Sequence, residues 1–404
     1  MPLPQKSLLD FKKESTPEVF ANTLREGGDV FWWEKGKFWL VTSHALASAV
    51  LKNEDFSCDR RPFFISRMPE MDLSLLQDFF GVVGRFMVMS DGKQHQARRR
   101  IAALGLTDAV LARFLPVIEK TVDTLLDQAG AWGECDFAQD IAPKLPSLAL
   151  ADLFRIPESE RENFYLWSNN MTQFFGGSTT YTNDDGIRVN ESARNIRAYF
   201  VDLMRRRREK PEDDFLSILL SHQESFGLDD EDVLCQAIMM LVAGQITTTD
   251  QMCNNLFTLL SSPGALKTLR ENPEHVRLGI EELNRLDPAV TFLFRVTAKD
   301  TAIGSQPVKK GDVVFVSAHA VNRDPDVFEN PDTCTVPRRS NPHLAYGFGP
   351  HVCLGAKLAR LEMATLFGRL IERFPGLRLD ETQPSLRKHH SLAFSGFARL
   401  PIVL

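Results

Sequence analysis

Tyr346-Gly347-Phe348-Gly349-Pro350-His351-Val352-Cys353-Leu354-Gly355 is the stretch on which the reading of this chain turns. Two glycines precede the cysteine and one follows it, so the backbone can approach something large and flat without Cβ clashes. The residues beyond, from Leu354 to Phe374, have the spacing of a strong amphipathic helix and are stopped by Pro375-Gly376. Cys353 therefore sits at a helix N-terminus, where free N–H donors and the positive dipole end lower a thiol's pKa. Both favour the thiolate, the form that binds a metal. A buried structural cysteine in a Gly-rich turn would account for one residue of this pattern and leave the others unexplained.

Outward from the loop, most of the 404 residues read as helix. Asp230 to Leu260 is a very long, mostly apolar stretch that predicts a buried helix through the middle of the fold. Leu111, Phe114, Leu115, Ile118, Val122 and Leu125 share a helix face, with Pro116 expected to kink or restart it. Strand signals are short: Phe38 to Thr42, Val313 to Val316 and the C-terminal Leu400 to Leu404. The expectation is a mainly α chain with small β-sheets. No Gly/Ser-rich or Pro-rich linker divides it, so residues 1–404 read as a single domain.

Composition narrows the function. The chain is 43% hydrophobic and 25% charged with a net charge of −6, an ordinary globular balance that argues against nucleic acid as the partner. Arg205 to Arg208 reads as a solvated helix end before a loop. The six cysteines have no close pairs, which suits a reducing cytoplasm rather than a disulfide framework. The N-terminus opens neither a signal peptide nor an anchor, and no stretch is read as a membrane span.

Three further constellations carry chemistry. Glu282 and Arg285, at i and i+3, can pair on one helix face. His95 and Arg99, at i and i+4, also share a face and offer two donors to an anion. Within the long apolar stretch lies Ala243-Gly244-Gln245-Ile246-Thr247-Thr248-Thr249-Asp250, where a glycine inside a helix costs about 1 kcal/mol and implies close packing. Each alone is a weak signal. Together, in this order, they are specific.

With the cysteine loop, the chain resembles the cytochrome P450 superfamily, whose haem-binding loop reads Phe-Gly-x-Gly-x-His-x-Cys-x-Gly; here Gly347, Gly349, His351, Cys353 and Gly355 match and Tyr346 replaces Phe. The resemblance runs through nearly the whole chain. It implies the P450 fold, with haem b (iron protoporphyrin IX) between a long central helix and the loop, and Cys353 as the iron's ligand. It also implies cofactor contacts from Phe348, Gly349, His351, Gly355, His95, Arg99, Arg295 and Ala243. Glu282 and Arg285 correspond to the family's structural Glu-x-x-Arg core. Ala243 and Gly244 would leave a groove for dioxygen, and Thr247, beside Thr248, would hold the water that delivers protons. The family's acidic residue is replaced by Ile246, which relays no proton. Asp250, three residues past Thr247, a water chain or a substrate group is expected to take its place.

The implied activity is a monooxygenase that oxidises, and most simply hydroxylates, a bulky apolar or aromatic small molecule in secondary metabolism. Segments that form substrate walls in relatives are Phe-rich here (Phe63-Phe64, Phe79-Phe80, Phe174-Phe175), and the pocket is expected at Phe86, Met240, Val290, Phe292 and Phe394. Thr179 to Asp184 gives a polar stretch that reads as a pocket lid or as a docking point for a carrier-tethered substrate. Electrons would come from a separate ferredoxin or flavodoxin with its reductase, docking near Arg98, Arg100, Lys357 and Arg360. Three alternatives stand beside this: ring coupling, nitrogen oxidation or peroxide-driven turnover; a haem-thiolate sensor without turnover; and a zinc-hydrolase use of His351 and Cys353, which lacks any HExxH or CxxC partner.

Overall fold

The computed structural model describes residues 7–175, 181–389 and 391–404, so Thr179 and Thr180 lie outside the described residues. Helices dominate and strands are short, as the periodicity predicts. Two compact units form, each discontinuous in sequence: Met1–Phe56 with Ile118–Leu145 and Thr247–Leu404, and Ser57–Val117 with Pro146–Ile246.

The first unit contains the sheets and the cysteine loop. Val30–Trp33 pairs antiparallel with Phe38–Val41, which runs parallel to Val313–Ser317, itself antiparallel to Phe292–Thr297. The expected strands at Phe38 and Val313 are thus central. Alternation sends Val41, Val314 and Val316 into a core with Val50, Leu51 and Leu344. Phe38 and Phe315 stack with ring centroids 4.0 Å apart. The C-terminal strand Pro401–Val403 joins Glu134–Asp136 and Arg378–Leu379.

The second unit is helical, built on Gly92–Leu104, Arg161–Phe175, Asn183–Glu209 and Asp230–Gly244. Thr182 and Asp185 form a capping box, so Asn183 and Asp184 of the expected polar stretch begin a helix. Arg207 corrects the reading of Arg205 to Arg208 as a solvated end: it is buried against Asp214 and Glu212. The expected restart at Pro116 does not occur, and a continuous helix runs Asp108–Trp132. The predicted helix over Asp230 to Leu260 is Asp230–Gly244 and Ile246–Leu260 with Gln245 between them. Its mean hydropathy of 1.2 would pass for a membrane span, contrary to expectation, but 78% of that window is buried inside the protein. It is a core helix.

Candidate functional site

Backbone geometry holds the cysteine loop. Gly347 and Gly349 have φ of 74° and 72°, a region that L side chains rarely adopt. A Cβ on Gly349 would come 2.9 Å from the Leu51 carbonyl oxygen, so only glycine fits. The Cys353 amide donates to the Tyr346 carbonyl (2.7 Å), Val352 to Gly349 (3.1 Å) and Gly347 to Leu344 (2.9 Å). Gly355 caps the helix Ala356–Arg373, which places Cys353 just before its N-terminus as read from sequence. Cys353 is exposed, and Phe348 packs on the sheet core beneath Lys52.

Tyr346, the departure from the family pattern, has its hydroxyl satisfied by the Asn284 side-chain amide at 3.2 Å. That bond opens a chain of amides. Asn255 donates to Asn284 (2.8 Å), Gln251 donates to Asn255 (2.9 Å), and the Ala289 amide donates to Gln251 (2.8 Å). The cysteine loop is thereby wired to the helix Ile246–Leu260, which bears Thr247. Sequence reasoning passed over Gln251, Asn254 and Asn255; three amides in an apolar helix were the available signal. On the ring's face lies Arg360, 4.3 Å from the centroid, held by both oxygens of Glu281 at 2.7 and 2.8 Å. Burial raises the Glu281 carboxyl, but hydrogen bonds from His343 and Arg360 outweigh it and bring the pKa down to about 2.

Glu282 and Arg285 are both fully buried and pair at 2.8 and 2.9 Å. Arg285 also donates to the carbonyls of Asn322, Pro331 and Thr333, while Glu282 takes Arg338 and the Thr335 amide. The pair closes the segment ahead of the cysteine loop, as expected.

Along the distal run, residues from Asp232 to Leu256 are buried except Ala243, Gly244, Ile246 and Thr247. Ala243, Gly244 and Thr247 are residues that the family resemblance assigns to dioxygen and its water. A Cβ on Gly244 would meet Leu150 at 3.2 Å, the close packing its presence implied. Thr172 donates to the Val242 carbonyl (2.8 Å) and Ser168 bonds the Gln245 side chain, so two hydroxyls serve the helix break. Met240 and Thr248 are buried.

Asp250 is 1% exposed and bound by Lys388 at 2.6 Å. Burial pushes its carboxyl up, while Lys388 and then Lys12 pull it down. Val290 and Phe394, both half-buried, face each other across an isolated bridge. Phe292 instead lies in the core against Phe315.

In the helical unit His95 and Arg99 share the helix Gly92–Leu104, His95 buried and Arg99 half-buried. Their neighbour Arg98 is buried and bonded to Asp232 (2.8 Å) and Ser90, so it offers no docking charge, correcting that expectation. Phe64, Phe79, Phe86, Phe174 and Phe175 form a ring cluster with centroids 5.0–6.3 Å apart. Phe86 is 1% exposed within it.

Arg295 tests whether these residues suit a haem. It is buried on the central sheet, bonds only the Phe294 carbonyl (2.8 Å), and no carboxylate pairs with it among the described residues. A buried guanidinium in that state calls for an anionic partner, which a propionate supplies. The exposed Cys353 before a helix N-terminus and the glycine cradle suit the iron and the ring. The residues fit the group.

The sequence matches the family model described as Cytochrome P450 over residues 6–401. The biotin biosynthesis cytochrome P450 of Bacillus subtilis is 31% identical over 96% of this chain and 95% of its own length. The nocardicin C N-oxygenase of Nocardia uniformis subsp. tsuyamanensis is 31% identical over 84% and 83%. The solved structure of a P450 in complex with hexadec-9Z-enoic acid ligated acyl carrier protein superposes with a TM-score of 0.88, at 29% identity, covering 99% of this chain and all of that one. The fold and site define a haem-thiolate oxidoreductase, and the chain belongs to the cytochrome P450 family. Its enzyme class is that of the P450 monooxygenases.

Proposed function

We propose that the protein is a cytoplasmic monooxygenase of secondary metabolism that uses haem b to hydroxylate a bulky apolar or aromatic small molecule. The observation that carries this is the exposed Cys353 in its glycine cradle at the head of the helix Ala356–Arg373. When bound, the haem supplies activation of dioxygen with electron density from its thiolate ligand. Everything else falls to the chain. Cys353 would ligate the iron; Phe348, Gly349 and Gly355 would line the ring; His351 and Arg295 would hold propionates, and within the helical unit His95 and Arg99 offer donors of the same kind. Ala243 and Gly244 keep a groove open, and Thr247 with Thr248 orders the water that delivers protons.

Asp250 is the carboxylate nearest in sequence to the vacant acid position. Its engagement with Lys388 favours giving proton delivery to Thr247 and water, with Asp250 holding the helix in place. Of the expected substrate walls, Val290 and Phe394, half-buried and facing each other, keep that assignment, while Phe292 and Phe86 are closed within packed cores. The half-buried Phe394 and Val290 support an apolar substrate. A carrier-tethered substrate is a second form of this reading, supported by the solved relative that is bound to an acyl carrier protein. N-oxidation has support from a relative named an N-oxygenase. Electrons are assigned to a ferredoxin or flavodoxin with its reductase, for which the exposed Lys357 offers a docking charge.

The test is the difference spectrum of the reduced, carbon monoxide-bound protein. A strongly red-shifted Soret band, abolished in Cys353→Ser, is expected; an unshifted band in the folded wild type overturns the reading. Turnover with a surrogate reductase then separates an enzyme from a sensor. In Thr247→Ala the peroxide released per electron pair should rise about tenfold at the expense of product.

A further inference from the structure

A cavity of about 30 Å3 with no lining residue from the cysteine loop lies between the N-terminal helix Leu8–Lys13 and residues 387–389 and 391–395. Its titratable lining is basic (Lys12, Lys13, His319, Arg387, Lys388 and His389), beside Ser15, Ser391 and Ser395. Two carboxylates answer them from behind. Asp287 takes Arg387 at 2.6 Å and His319 at 3.2 Å, and Asp250 takes Lys388 at 2.6 Å. Arg387, Lys388, Lys13 and the Lys12 amine thus meet two buried anions, and among the described residues Lys13 has only Asp10, at 4.0 Å, as a weak exposed partner.

The crowding shows in the basic groups. Burial, with Arg387 adding to it against Asp287 and Asp250, brings the Lys12 amine down to about 7. Burial, with Arg323 and Lys12 adding to it against Asp287, brings His319 down to about 4. His389 is lowered by desolvation, Lys13, Arg387 and Lys12. His319 is 2% exposed, and its Nδ1 has no partner among the described residues although the ring lines the cavity. Positive charge without enough anions, a buried ring nitrogen without a partner and room for a small group occur in one place.

We propose that this cavity is a binding site for a small oxyanion, a carboxylate or a phosphate, taken up between Lys13, His389 and His319. The anion accepts from Nδ1–H of His319 once that ring takes a proton, while Nε2–H stays on Asp287. Occupancy also bears on the wall of the proposed substrate pocket. Lys12 donates to Thr291 Oγ1 (2.9 Å) and to the carbonyls of Ser391 (3.0 Å), Leu392 (3.3 Å) and Phe394 (2.6 Å), so it clamps the turn that carries Phe394. An anion beside it offsets the crowding that disfavours its charged, clamping form. The binding step itself does not rest on the haem chemistry.

The test uses the full-length, haem-loaded protein near pH 6.5, with acetate or inorganic phosphate titrated at constant ionic strength against a bulky organic sulfonate. Saturable thermal stabilisation is expected with acetate, phosphate or both, because a ligand that binds only the folded state raises Tm by mass action. Which of them saturates identifies the source as carboxylate or phosphate. Calorimetry in two buffers of different ionisation enthalpy should show proton uptake. Lys13→Gln with His389→Gln removes rim donors without exposing a buried pair and should raise the half-saturating concentration at least tenfold. A response that follows ionic strength alone, or saturation unchanged in the double variant, overturns the proposal. His319→Gln, where it folds, should lower the proton uptake to what Lys12 and His389 supply.

Discussion

The loop around Cys353 and the run from Ala243 to Asp250 both match family patterns, yet they are held in different ways. Around Cys353 the structure is a matter of backbone: two glycines at positive φ, three main-chain hydrogen bonds, and a Cβ at Gly349 with nowhere to go. Around Thr247 it is a matter of side chains: Ser168 on Gln245, Thr172 on a carbonyl, Lys388 on Asp250. Backbone geometry admits few residues, so the proximal side keeps its pattern. Side-chain arrangements can be exchanged, and there the chain has Ile246 instead of an acid. The part that presents the metal ligand is fixed, and the part that steers the chemistry is open to change.

The comparison can be broken hardest at Arg285. Removing it leaves Glu282 buried with one cationic partner fewer, so Arg285→Ala should cost about 3–5 kcal/mol in urea unfolding. Haem should then be lost at lower denaturant than in the wild type. On the distal side Asp250→Asn leaves Lys388 without its counter-ion. It should cost about 2–3 kcal/mol while peroxide yield stays within about twofold. A clear rise in peroxide would return Asp250 to the proton route.

Acid sharpens the proximal side. Glu281 is held at about 2, below its ordinary value of 4.5, so its contribution is present above pH 4.5 and is lost as pH falls toward 2. Unfolding free energies from urea titrations across that window should fall by on the order of 2 kcal/mol more in the wild type than in Glu281→Gln. The smallest effect is expected at Tyr346→Phe. It restores the family residue but strands the Asn284 amide, for about 1 kcal/mol.

Most of the architecture was legible because it follows from local periodicity. The strands at Phe38 and Val313 and the helix beyond Gly355 fall where alternation and capping put them. What escaped depends on partners distant in sequence. Arg98 and Arg207 look like solvated charges until Asp232 and Asp214 fold against them. The break at Gln245 depends on Ser168, which no window around Gln245 contains. Phe86 reads as a pocket wall, but it is buried against Phe175, which itself packs on Phe64 and Phe79.

The amide chain from Tyr346 through Asn284 and Asn255 to Gln251 has a consequence for how this sequence can drift. Each amide donates to the member before it, so replacing one member leaves a buried donor or acceptor unanswered. These four positions should be inherited as a block and changed only together. A transplant of Tyr346 alone into another family member should gain nothing unless the three amides travel with it.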